Sequence, residues 1–127
     1  MLTTGSTGKA EVKVDDTNTA VTMGSGSLKV FATPAMIALI EKAACKALDG
    51  KLEDGMTTVG TKLDVAHVAA TPVGMTVTAE ATLTEVDNHR LVFEVVAKDE
   101  KDVIGKGTHE RFIVTAEKFT AKTYGKV

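Results

Sequence analysis

The chain reads as an α+β fold in which a curved antiparallel sheet of about five strands wraps around one long central helix. Three observations predict it. Residues 33–50 carry the one strong helix signal, with a start and a stop of their own. Residues 57–116 alternate apolar and polar side chains in four segments joined by short turns. Consecutive strands joined by short turns are antiparallel neighbours. One more alternating stretch precedes the helix.

Residues 1–9 are polar and glycine-rich, and read as a flexible N-terminal segment ahead of a single domain over 10–127. Ala10–Val14 alternates apolar and charged residues as a first strand. Asp15–Ser27 reads as a loop, marked by Gly24-Ser25-Gly26-Ser27, and Leu28–Ala32 as a short extended stretch. Thr33 is a natural N-cap, Pro34 suits the first helical position, and Gly50 ends the helix. From Pro34 to Leu48 the helix is about 22 Å long.

A turn at Glu53-Asp54-Gly55 opens the run of strands. In Thr57–Ala69, Val59, Leu63, Val65 and His67 share one side. Met75–Val86 alternates cleanly, Asp87-Asn88-His89-Arg90 is a hairpin turn, and Leu91–Lys98 follows. Val103–Ala116 is the last strand, with Gly105 and Gly107 marking a bulge or a close backbone approach. The polar tail from Glu117 is expected to fray. Five strands at about 4.8 Å spacing span roughly 20–24 Å, which matches the helix length.

Composition narrows the function classes. A length of 127 residues fits one domain, and 43% hydrophobic residues supply a core. A net charge of −2 and the lack of a basic, aromatic-interleaved cluster argue against nucleic acid. No apolar run approaches the ~20 residues of a membrane span, and the N-terminal stretch has no signal-peptide core. A cytoplasmic location is expected. Cys45 stands alone, cannot close an intrachain disulfide, and on an apolar helix reads as a buried small hydrophobe. His67, His89 and His109 fall in separate segments with no ligand spacing, so neither a metal nor a cofactor is expected.

The residue that draws most attention is Glu41, inside Met36-Ile37-Ala38-Leu39-Ile40-Glu41-Lys42-Ala43-Ala44-Cys45. A carboxylate on a helix that is apolar on nearly every side is costly unless paired, neutralised or at work. A helix-surface salt bridge to a lysine is the plain alternative. Thr33 has its own plain reading as an N-cap, and His67 as a hydrogen-bonded core histidine. His109, beside Glu110 and Arg111, could line a site or serve a cross-strand polar pair.

Five segments in order carry a resemblance: Val30-Phe31-Ala32-Thr33-Pro34, Glu41, Val59-Gly60-Thr61, His67-Val68-Ala69-Ala70-Thr71-Pro72-Val73-Gly74, and Gly105-Lys106-Gly107-Thr108-His109-Glu110-Arg111. Together they resemble hotdog-fold thioesterases of the fluoroacetyl-CoA thioesterase-like family, from about Gly24 to Phe119. The resemblance implies a hotdog fold and hydrolysis of small or short-chain acyl-CoA thioesters. It implies a catalytic set of Thr33, Glu41 and His67, with Gly60 near the acyl carbonyl and Arg111 as a further substrate-site residue. One stretch departs. The fluoroacetyl-specific member has lid aromatics shortly before the threonine, whereas Met23–Lys29 has none. Fluoroacetyl-CoA is therefore not carried over as the substrate.

Geometry adds a constraint. Thr33 and Glu41 are eight residues apart, about 12 Å along one helix and roughly 80° around it. They can hardly meet within one chain. Composite sites in a homodimer, or in a tetramer built from such dimers, are the expectation. Two other activities fit a hotdog fold: an acyl-thioester hydratase or dehydratase, and a non-catalytic acyl-CoA or small-ligand binding module.

Overall fold

A computed structural model describes residues 2–127. Its strands are β1 (Thr7–Lys13), β2 (Met56–His67), β3 (Thr76–Asp87), β4 (Arg90–Lys98) and β5 (Val103–Thr115). Its helices are α1 (Ala20–Met23), α2 (Thr33–Ala47) and α3 (Ala116–Tyr124). The five strands form one sheet in the order β1-β3-β4-β5-β2, with every neighbouring pair antiparallel. β1 and β2 are therefore its edges.

Period-2 alternation explains the core. Val77, Ala79, Ala81 and Leu83 of β3 and Leu91, Phe93, Val95 and Ala97 of β4 are buried. Met36, Leu39, Ile40, Ala43, Ala44 and Ala47 of α2 are buried against them. The alanines on both sides let helix and sheet approach closely. Gly8 takes this furthest: a Cβ there would collide with the α2 backbone at Ala43–Ala47.

α2 packs chiefly on β1 and β3, reaches β4, and scarcely touches β2. Its opposite face is open, with Ala38, Lys42 and Cys45 exposed. Cys45 is thus an exposed free thiol rather than a buried hydrophobe, because the helix buries one face only.

Four local expectations change. β1 starts at Thr7, pairing Thr7–Lys9 with Thr82–Glu80, so the segment 1–9 is not wholly loose. The Gly5 amide also donates to the Leu83 carbonyl; Met1 lies outside the described residues. Within the expected loop 15–27, Thr19 caps the short α1, and Gly24 ends it at φ +75°. Beyond Thr115 the chain does not fray but forms α3, with Glu117 in its first turn and Lys122 in its last, as the helix dipole favours. α3 buries none of its residues, so no apolar stripe announced it.

Finally, the β2–β5 register shifts between Gly60 and Lys62. This bulge at Thr61 puts Gly60 opposite Arg111 but Leu63 opposite His109. Gly60, Leu63, Val65 and His67 therefore share the inner side, and Val59 falls on the other. Gly105 and Gly107 mark close approaches, to Met36 Sδ and to the Asp64 backbone respectively.

Candidate active site

Two polar clusters lie on the inner side of the molecule. The first is at the start of α2. Its cap is Ala32, with no side-chain hydrogen bond, so Thr33 is not the N-cap. The Thr33 hydroxyl is instead 2.7 Å from Nδ1 of His67, at the end of β2. Burial pushes the His67 imidazole below the usual histidine range, opposed by a backbone hydrogen bond involving Ala69. Its Nε2 is buried with no partner. A neutral ring with one free nitrogen can take or give a proton there. The cluster opens into a cavity of about 310 Å³ lined in part by Ala20, Ser25, Phe31, Thr33, His67 and Ala69. That is the small end of the range for ligand pockets.

The second cluster centres on Arg111. Its Nη1 donates to Glu41 Oε2 at 3.1 Å and lies 3.2 Å from His109 Nε2. Its Nε donates to the Thr58 hydroxyl at 2.9 Å, and its Nη2 to the Thr58 carbonyl at 3.1 Å. Arg111 and His109 are buried, while the Glu41 side chain is 37% exposed. Glu41 is therefore a half-open carboxylate tied to a buried arginine, neither sunk in the core nor paired to a lysine. Gly60 forms its floor. A Cβ there would sit 2.5 Å from Glu41 Oε2 and 3.3 Å from both Arg111 Nη1 and His109 Cε1.

The structure thus joins Thr33 to His67, and Glu41 to Arg111 and Gly60, but does not join the two groups. Eight residues of helix still separate Thr33 from Glu41, about 12 Å of rise. A wider depression of about 730 Å³ lies among Asp64, Glu80, Glu94 and Lys106. These alternate with the core positions, so it lies on the opposite side of the sheet, away from both clusters. Among the described residues, no three His, Cys, Asp or Glu side chains converge as a metal set. Among the described residues, no helix is long and apolar enough to cross a membrane.

The model of the family described as FlK, fluoroacetyl-CoA-specific thioesterase, matches residues 14–117. The chain belongs to this family. It is a thioester hydrolase with the hotdog fold. A fluoroacetyl-CoA thioesterase of Streptantibioticus cattleyicolor is 47% identical over 98 residues, covering 77% of this chain and 70% of that protein. A solved structure of the fluoroacetyl-CoA thioesterase FlK superposes with a TM-score of 0.94 at 37% identity, covering 100% of this chain and 98% of its own. A thioesterase superfamily member from Thermus thermophilus superposes at 0.87 with 26% identity, covering 96% and 90%.

Two members of the thioesterase's second cluster were not singled out from the sequence. Thr58 lay in an ordinary alternating strand. His109 was visible but equally explained as a cross-strand polar residue. The signal that could have found it is the spacing of His109 and Arg111, two apart on one strand and hence on one side.

Proposed function

We propose that this thioesterase hydrolyses small acyl-CoA thioesters to free acid and CoA, at composite sites in a homodimer. In each site Thr33 and His67 come from one subunit, and Glu41 with Arg111 and Gly60 from the other. The observation that carries this reading is the division itself: two catalytic groupings, each assembled, held apart on one helix. The open β2 edge supports it. β2 has a neighbour on one side only, Leu63 is 41% exposed on its inner side, and α2 scarcely reaches it. A second copy fills such a gap.

The residues then divide the work. Glu41, held through Oε2, supplies the base or nucleophile with its remaining oxygen. Thr33 orients the substrate or the attacking water. His67 Nε2 is placed to pass a proton to the departing CoA thiolate. The positive end of α2 favours the oxyanion. Gly60 keeps the floor free of a side chain where the acyl carbonyl must come close. The stretch Met23–Lys29 brings no aromatic ring to the cavity, so selectivity for fluorine is not part of this proposal. A cytoplasmic setting is proposed with it, since Cys45 is an exposed free thiol that a reducing compartment keeps intact.

The test is release of free thiol from acetyl-, propionyl-, butyryl- and fluoroacetyl-CoA. Glu41→Gln, assayed below its melting range, should lower turnover by about a hundredfold or more. Mixing inactive Thr33→Ala and Glu41→Gln proteins after unfolding and refolding tests the division. Half of the dimers are then mixed, each with one intact site, so about a quarter of wild-type activity should return. No recovery would place each site within one chain.

A further inference from the structure

His109 is fully buried yet carries two polar nitrogens, and both are committed. Nδ1 lies 2.8 Å from the Lys62 carbonyl. A carbonyl only accepts, so Nδ1 bears the hydrogen. In the neutral ring Nε2 then holds a lone pair, and Arg111 Nη1 donates to it at 3.2 Å. Burial, helped by the Arg111 charge, holds the imidazole below its usual range, against the pull of the Lys62 carbonyl and of Glu41 and Glu110. The ring is stacked on Phe93, with centroids 6.2 Å apart. Tautomer and orientation are therefore both fixed.

The same Nη1 group donates its other hydrogen to Glu41 Oε2. With Thr58 taking Nε and Nη2 and His109 one Nη1 hydrogen, three acceptors from β2 and β5 fix the plane of the guanidinium, and Glu41 receives the second Nη1 hydrogen. Among the described residues, Glu41 Oε1 has no hydrogen-bond partner, which leaves it as the oxygen free to act. We propose that His109 is a positioning residue for the hydrolysis: as an obligate acceptor it aims Arg111, and through Arg111 it holds the Glu41 carboxylate in its working orientation. This rests on the reading of Glu41 as the acting carboxylate. His109 itself touches no substrate.

Gln and Met are close in shape, but only Gln offers a strong acceptor where Nε2 sits. Turnover of a short acyl-CoA by His109→Gln and His109→Met, with melting curves and a Glu41→Gln control, separates positioning from filling. The Met variant should lose roughly ten- to hundredfold in kcat with KM moved less than threefold, the scale of a misplaced catalytic group. The Gln variant should recover most of that. Equal kcat in the two variants, or a loss in Met carried by KM alone, would overturn the proposal. Normal turnover by Glu41→Gln would instead show that the reading of the site has failed. Should neither His109 variant fold, imidazole ¹⁵N shifts of the wild-type protein decide. The proposal requires a neutral ring protonated on Nδ1 at pH 7, and an Nε2–H ring sinks it.

Discussion

The two halves of the sheet are built on different terms. Where α2 covers β1, β3 and β4, the facing positions are apolar and many are small: Ala10, Ala79, Ala81 and Ala97, beside Leu83 and Phe93, against Ala43, Ala44 and Ala47, all buried. On the β5–β2 half the inner positions include Thr58, Gly60, His67, His109 and Arg111 beside Leu63 and Val65, and the helix barely reaches β2. The first half gains stability from close packing and has nothing to react with. The second keeps a buried arginine and histidine that are tolerable because every side-chain nitrogen of the two has a hydrogen-bond partner. The proposed chemistry lies where α2 covers the sheet least.

Breaking the polar half should have the largest effect. Arg111→Met removes the group that satisfies Glu41 Oε2, His109 Nε2 and the Thr58 carbonyl together. Removing one member of a buried ion pair costs about 3–5 kcal/mol, and the partial exposure of Glu41 puts this case near the lower end. Urea unfolding should show it as a lower midpoint at unchanged slope. A loss under about 1 kcal/mol would mean the network is worth no more than a surface pair.

The apolar half should fail differently. Ala81 is fully buried on the inner side of β3, opposite Gly8 on one neighbour and Val95 on the other. Ala81→Leu overfills this space and should cost about 1–3 kcal/mol. Below its melting range, kcat for a short acyl-CoA should stay within twofold of wild type, since the change touches neither polar cluster. A kcat loss as large as that of Arg111→Met would show that the two halves are mechanically coupled.

How legible all this was differs by half as well. The apolar half could be read directly, because alternation in Met75–Val86 and Leu91–Lys98 is strict and its consequence is local. The ends of α2 are legible to within one residue, but its burial is not: Ala38 and Cys45 look like core residues by type and are exposed. Composition cannot say whether an alanine faces the sheet or an unfilled side. The family motifs picked out Thr33, Glu41, Gly60, His67 and Arg111, but not which of them meet. The pairing of Thr33 with His67 depends on how far β2 runs before Thr71-Pro72. The seating of Gly60 under Glu41 depends on a bulge at Thr61 that alternation had passed straight through. α3 gave no warning because it packs on almost nothing.

The finest distinction between the halves is in their response to pH. His67 and His109 both belong to the polar half, and both are held below the ordinary value of 6.5, in each case mainly by burial. In the unfolded chain both take up protons near that value. As pH falls through 6.5, the unfolded state therefore binds protons that the folded state still refuses, and stability drops. Their contribution is whole above about pH 7 and is lost progressively as pH falls through 6.5 toward the lowered folded values. The carboxylates Asp15 and Glu110 are held below their usual range by hydrogen bonds, and Asp99, against burial that pulls it up, by hydrogen bonds from Lys101, Asp102 and Thr71; they start from 3.8, 4.5 and 3.8. Their losses begin only at more acidic pH, so the two windows separate. Urea midpoints at pH 8, 7, 6 and 5.5 should stay level and then decline, and His109→Gln should flatten the decline without abolishing it. A midpoint that rises between pH 7 and 5.5 would mean that both imidazoles gain a favourable partner on protonation, and that Glu41, not the Arg111 guanidinium, governs the state of His109.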